Sequence, residues 1–340
     1  MSIINIFGWH SHFGEDARPS AMKAFVEPLK QYSKVNTIPL GQTSYQNFDY
    51  NSILGQPIVF WDMRPNRKLL ENSKHNITWV PMYDSLVWNT RAWWKKIPKN
   101  LKIIAYSKKI ADLSERCGLK TLTVKFYFDP KNFKQADWEK GNKIFYWNRS
   151  GLLTKEQIER LCLQLNAKTI VFRDRLDFYA HYSQSITLGD SINETKVVHM
   201  EPSIDHKNYI ELLSRCNIFV VPRIFEGIGL TFLEAMASGM LILSPNNPTM
   251  NEYIFHKKNG VLLPFKMYRR NYNRMVTKME KLTKIKLAPI SVLPKHFSFQ
   301  ELNKLPLKEI ADKARSSSQN GYMQWTKTLP GISNFIEKKI

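Results

Sequence analysis

The stretch RIFEGIGLTFLEAMASGM, residues 223–240, sets two carboxylates, Glu226 and Glu234, around a glycine pair and the start of an apolar run. Ionised carboxylates at such positions accept hydrogen bonds from hydroxyl groups. If a helix begins near Gly229, the free N–H groups of Gly229, Leu230 and Thr231 point outward and, with the helix dipole, make an anion site. Gly227 and Gly229, separated by Ile228, have no Cβ to hold a phosphate off the backbone. Glu226 then precedes the helix, and Glu234 sits about five residues inside it, roughly 8 Å along the axis. That span is comparable to the reach from a diphosphate to a ribose. Glu234 also shares a helix face with Leu230, Leu233 and Ala237, where a buried carboxylate needs donors such as ribose hydroxyls. The plainer alternative is that Glu226 merely complements the dipole and Glu234 reaches solvent.

Such a loop works only if a rigid element aims it. In doubly wound sheets, ligands lie outside the carboxyl ends of the strands, where loops feed helix N-termini, and NIFVVP reads as the strand before this loop. The chain repeats that pattern. SIINIF, PIVFWD, NITWVP, LKIIAYS and TLTVKFYF form a first series of strand-like runs, and NKIFYWN, KTIVFRD, TKVVHM, NIFVVP and MLILSP a second, with helical patterns between them. The alternation predicts an α/β fold of parallel sheets covered by helices. Thr154 and Gln157 make a capping box, and Asp205 starts another helix. A length of 340 residues suits two domains. The polar stretch DPKNFKQADWEKGN, residues 129–142, separates them, so residues 1–135 form the first domain and 136–320 the second. Beyond about residue 264 the pattern weakens into basic helical pieces, and the C-terminal stretch has no defined form.

Residues 221–265, VPRIFEGIGLTFLEAMASGMLILSPNNPTMNEYIFHKKNGVLLPF, resemble the donor-binding segment of the retaining, nucleotide-sugar-dependent glycosyltransferases of family 4, also called glycosyl transferases group 1. The resemblance implies the GT-B architecture: two Rossmann-like domains with a cleft between them, the first for the acceptor, the second for the donor, and residues 321–340 crossing back to the first. It puts Glu226 and Glu234 on the family's paired glutamates, Gly227 and Gly229 on its phosphate loop, and Glu252 and Gly260 on its later acidic and glycine positions. Glu226 then orients the donor sugar and Glu234 holds the ribose. The implied activity moves a hexose-type sugar, with retention, from a nucleotide sugar to a hydroxyl of a glycan or lipid-linked acceptor in cell-surface polysaccharide or glycolipid assembly.

Further positions follow from the same resemblance. Arg149 and Lys155 in FYWNRSGLLTKEQ stand where the family directs an Arg and a Lys at the donor diphosphate; otherwise both flank a capped helix on the surface. Side-chain cations and helix N-termini would offset the charge on the leaving diphosphate without a metal. Gly14, in the loop after the first strand, is the point of donor contact in the first domain. Asp84 matches the Asp of the family's His–Asp pair near the acceptor, with Tyr83 in place of the His, and it has the alternative role of capping the next helix. No Asp-x-Asp motif occurs. His10 and His12 have an HxH spacing without a third ligand nearby, so no metal and no cofactor beyond the donor substrate is expected.

The formal net charge of +21, with a basic excess after residue 264, requires a polyanionic partner to be considered. In NTRAWWKKIPKNLK, residues 89–102, Arg91, Lys95, Lys96, Lys99 and Lys102 surround Trp93 and Trp94. Tryptophan beside lysine suits an anionic membrane surface, and the alternative is a solvated face with its tryptophans in the core. No RNA-binding or helix-turn-helix signature supports nucleic acid. Cys117, Cys162 and Cys216 form no CxxC pair, and the N-terminus lacks a secretion signal. A cytoplasmic protein, peripheral at most to the inner face of a membrane, is the expectation. The competing functions are a basic polyanion-binding protein on an inactive GT-B scaffold and a nucleotide-sugar hydrolase or epimerase.

Overall fold

A computed structural model describes residues 3–9, 21–71, 74–87, 89–174, 186–201, 204–267, 291–294 and 297–339. The chain divides into two compact units.

The first unit comprises Met1–Tyr127, Glu226–Leu230 and Asn320–Ile340. Its elements run β1 (Ile3–Trp9), α1 (Ala21–Leu29), β2 (Lys34–Leu40), α2 (Gln42–Asn47), β3 (Pro57–Trp61), α3 (Arg67–Glu71), β4 (Asn76–Val80), α4 (Tyr83–Leu86), α5 (Arg91–Lys95), β5 (Leu101–Ala105), α6 (Lys108–Glu115) and β6 (Lys120–Thr123). The strands lie in the order β2-β1-β3-β4-β5-β6 and pair in parallel throughout. Every residue of β3, β4 and β5 is buried, and apart from Asn76, Thr78 and Lys102 these strands are apolar. The order reverses between β1 and β3, so the carboxyl ends there are where such a sheet presents ligand-binding loops.

A single helix, Leu307–Glu337, ends the chain, and its residues from Asn320 onward belong to this unit. The helix continues through Gly321, Pro330 and Gly331, giving form to a stretch whose sequence pattern defined none. Gly321 is needed because a Cβ there would lie 2.4 Å from the ring of Tyr127. The last turn is held from the sheet. Lys102 Nζ donates to the carbonyls of Phe335, Ile336 and Lys338 at 2.7, 2.6 and 2.8 Å, and Asn76 Nδ2 donates to those of Ile336 and Glu337 at 2.9 Å. These are carbonyls that a helix end leaves without intrahelical partners.

The second unit comprises Phe128–Phe225 and Thr231–Gln319. It contains β7 (Asn142–Asn148), α7 (Lys155–Gln164), β8 (Ala167–Asp174), β9 (Ser191–Ile192), β10 (Thr195–His199), α8 (His206–Ser214), β11 (Ile218–Val220), α9 (Leu230–Ala237, from Thr231 on), β12 (Leu241–Pro245) and β13 (Val261–Leu263). The sheet order is β13-β12-β11-β7-β8-β10-β9, parallel except for β9 on β10. Apart from β9 this is the Rossmann order, reversing between β7 and β11. Ile144, Ile158, Leu161, Ile170, Val220 and Leu243 form part of its core. Thr154 and Gln157 form the anticipated capping box on α7, and Asp205 caps α8 through the Asn208 N–H. Asn217 accepts from Lys143 N–H at 2.8 Å and donates to the carbonyls of Asp137 and Gly141, which secures the segment before β7.

Candidate functional site

The reversal of strand order between β7 and β11 places two loops side by side at the carboxyl ends of these strands. After β7 the side chain of Asn148 organises a turn: Nδ2 donates to Asp174 Oδ1 at 2.7 Å and Oδ1 accepts the Gly151 N–H at 2.9 Å. After β11 the chain continues through Val221, whose N–H bonds the Leu243 carbonyl. Ser150 Oγ donates to the Pro222 carbonyl at 3.0 Å and joins the two loops.

The loop after β11 turns into α9 at Gly229, whose φ of +82° is a conformation that side chains disfavour. Helix α9 starts at Leu230, with Leu230 and Thr231 half-buried in its first turn and Ile228 buried before it. Five residues in, Glu234 is 4% exposed, which excludes the alternative of a carboxylate reaching solvent. Its Oε2 accepts a hydrogen bond from the Tyr209 hydroxyl of α8 at 3.1 Å. A buried carboxylate needs donors, and the structure supplies one from the protein where the sequence suggested only ribose. Tyr209 was not among the sequence candidates. Nothing in YIELLSRC distinguishes it from a core aromatic.

Arg149, half-buried just after β7, lies with its guanidinium carbon 4.7 Å from the centre of the Trp147 ring. Arg173, buried at the end of β8, lies 4.5 Å from the same ring. Sequence reasoning missed Arg173, although its place in KTIVFRD, at the end of a strand, is the available signal. Lys155 is exposed as the first residue of α7. Glu252 is half-buried in the short turn Met250–Glu252. Gly260 has a packing reason, since a Cβ there would lie 2.7 Å from Ile254 Cγ2.

Glu226 and Gly227 group with the first unit. Glu226 is 6% exposed, and a Cβ on Gly227 would lie 3.0 Å from Asp84 Oδ1. Asp84 falls in the single turn of α4, whose N-cap position is Met82, so the carboxylate does not occupy the cap. Instead Asp84 Oδ1 accepts the Ser85 N–H at 3.1 Å, while Ser85 Oγ donates to Asp62 Oδ1, also at 3.1 Å. Asp62, just after β3, has a φ of +61°, and burial, then the nearby Asp84 carboxylate, push its pKa up to about 6. Asp62 is a second acid absent from the sequence candidates. Tyr83, where the resemblance expects a His, is buried.

Gly14, with His10 and His12, lies outside the described residues. Among the described residues no group of three or more His, Cys, Asp or Glu side chains is placed to hold a metal ion. In residues 89–102 the tryptophans do not stand out among the cations as the membrane expectation requires. Trp94 is fully buried and stacked on Trp79 at 5.9 Å, and Trp93 is half-buried with Arg64 4.6 Å from its ring centre. Thr90 caps α5, which turns Trp94 toward the core and leaves Arg91, Lys95 and Lys96 exposed. Among the described residues no helix is long and apolar enough to cross a membrane.

Residues 158–288 match the family model described as glycosyl transferases group 1. The chain is similar in structure to sucrose-phosphate synthase from Thermosynechococcus elongatus, with a TM-score of 0.59, 13% identity and 98% of each chain covered. It is also similar to HepE of Anabaena, solved in complex with UDP and glucose, with a TM-score of 0.55, 11% identity and 98% of each chain covered. WaaG, a glycosyltransferase involved in lipopolysaccharide biosynthesis, gives a TM-score of 0.52 and 11% identity over 98% of this chain and 99% of its own. A comparison with curated proteins finds no match. The fold is the GT-B fold of glycosyltransferases, two Rossmann-like α/β units.

Proposed function

We propose that this chain is a glycosyltransferase that moves a sugar from a nucleoside diphosphate to an acceptor hydroxyl, with retention of anomeric configuration and without a metal ion. The observation that carries the reading is the buried Glu234 on α9, five residues inside a helix that starts from the left-handed Gly229. A nucleoside diphosphate matches this arrangement from end to end. Its phosphates meet the Gly227–Thr231 amides at the helix start, where the helix dipole favours an anion. Its ribose reaches the Glu234 carboxylate. HepE, which shares the fold, binds UDP and glucose. The donor segment lies in residues 136–320 and the acceptor segment in 1–135.

In the transfer the bond from the anomeric carbon to the diphosphate oxygen breaks and a bond to the acceptor oxygen forms. The acceptor proton passes to the leaving phosphate, which needs no protein carboxylate as a nucleophile. Glu226 accepts hydroxyls of the donor sugar, Arg149 and Lys155 offset the charge on the diphosphate, and Asp84 faces the acceptor. Gly14 and Glu252 complete the donor contacts. The acceptor is a glycan or lipid-linked sugar of a polysaccharide or glycolipid, and Arg91, Lys95 and Lys96 with the basic C-terminal region bring the protein to an anionic membrane face. Vesicles rich in anionic lipid at low salt test that last step, and failure to bind them removes it.

The core of the reading is tested by titrating UDP, GDP, ADP and their hexose conjugates without metal, on the wild type and on Glu234→Ala. Selective binding of one nucleotide that weakens at least tenfold in the variant is expected. Absence of binding by every nucleotide would instead favour a scaffold without transferase chemistry.

A further inference from the structure

Tyr209 stands apart from the residues that a nucleotide sugar would touch first, because it is a wholly protein-facing partner of the carboxylate assigned to the ribose. It is 1% exposed in the first turn of α8. Its ring is wedged between Phe145, edge-on at 5.7 Å, and His206, stacked at 6.0 Å. With the ring so packed, its oxygen meets Glu234 Oε2 at 3.1 Å. The phenol donates and the carboxylate oxygen accepts.

We infer that Tyr209 is a positioning residue for the ribose contact: its hydroxyl fixes the plane of the Glu234 carboxylate so that this group accepts the ribose hydroxyls of the donor in one orientation. The inference rests on the donor-site reading above and adds to it a residue from a different helix. A carboxylate offers about four acceptor positions, and the phenol takes one of them. A free Glu side chain would have to lose rotamer freedom at the moment of binding, and Tyr209 removes that cost beforehand. The arrangement couples α8 and α9, the helices before and after β11, at the point where a ribose would lie.

Tyr209→Phe deletes the hydroxyl and keeps the ring against Phe145 and His206. The experiment measures, for wild type and variant, the affinity of whichever of UDP, GDP or ADP the wild type binds best, and of the same nucleotide with a 2′,3′-dideoxyribose. Thermal unfolding checks that the variant is folded. The expected result is an affinity for the ribonucleotide that falls about tenfold while that for the dideoxy form stays within twofold, with no further loss when Tyr209→Phe is added to Glu234→Gln. Equal losses for both nucleotides, or none for either, against a wild type that does discriminate between them, would overturn the role of Tyr209 and leave the donor site standing. A wild type that binds neither nucleotide, or both alike, would overturn the donor-site reading and this inference with it.

Discussion

Lys102 Nζ lies 2.6 Å from the carbonyl oxygen of Ile336, so an amine from strand β5 holds the end of the final helix. The side chain is fully buried, and burial, followed by repulsion from Lys120, lowers its pKa from 10.5 to about 7. Three carbonyl acceptors favour the charged form and the buried setting opposes it. Above pH 7 the folded chain has given up a proton that the unfolded chain retains to about pH 10.5. Unfolding then takes up a proton, and stability rises with pH across that window. Urea unfolding of wild type from pH 6.5 to 9.5 should show that rise, and Lys102→Met should flatten it. An unchanged slope in the variant would mean that Lys102 keeps its proton throughout.

Asp62 behaves in the opposite sense. Its folded pKa of about 6 lies above the ordinary 3.8, so its contribution to stability is complete below pH 3.8 and is lost as pH rises through 6. The groups it faces are the Asp84 carboxylate and the Ser85 hydroxyl. Asp62→Asn should remove this part of the pH dependence between pH 4 and 6.5, and carboxyl chemical shifts across the same range would show directly whether the titration sits near 6.

Two glycines of the final helix should respond oppositely to alanine. At Gly321 the new methyl would enter the Tyr127 ring at 2.4 Å, and overpacking of that kind costs about 1–3 kcal/mol. At Gly331 nothing lies within 4 Å of the added Cβ, so helix propensity acts alone and stabilises by roughly 0.5–1 kcal/mol. Melting temperatures of the two variants side by side decide this; two changes of the same sign would contradict the packing of the helix described above.

On the proposed donor role, Arg149→Gln should weaken nucleoside diphosphate binding by about tenfold with little effect on melting, because it would remove a charge-assisted bond to phosphate while the half-buried side chain contributes little to the core. Nucleoside binding, which involves no phosphate, should be unaffected. If diphosphate affinity does not move, the guanidinium serves only to cover Trp147.

Much of this molecule is legible in local patterns. Strands buried on both faces must be nearly all apolar, so PIVFW, NITWV and LKIIA announce themselves, and the Thr154–Gln157 capping box follows from the donors that a helix start leaves open. The Gly227–Gly229 pair and the spacing of Glu226 and Glu234 likewise depend on backbone freedom and helical rise, which are properties of neighbours in the chain. The partners of these groups are not. Tyr209 meets Glu234 across 25 positions, Ser85 meets Asp62 across 23, and Lys102 reaches the last helix across more than 230, so only the packing of distant segments decides them. The same holds for Trp94, whose neighbours in sequence are lysines but whose neighbour in space is Trp79. The burial of an isolated side chain depends on which face of a short helix meets the sheet, and five residues of α5 are too few to display a period. Sequence alone therefore determined the α/β alternation and the glycine loop with its two acids. The tertiary structure decided which acids are buried, what holds them in place, and that the C-terminal residues form one helix whose end is capped from the sheet.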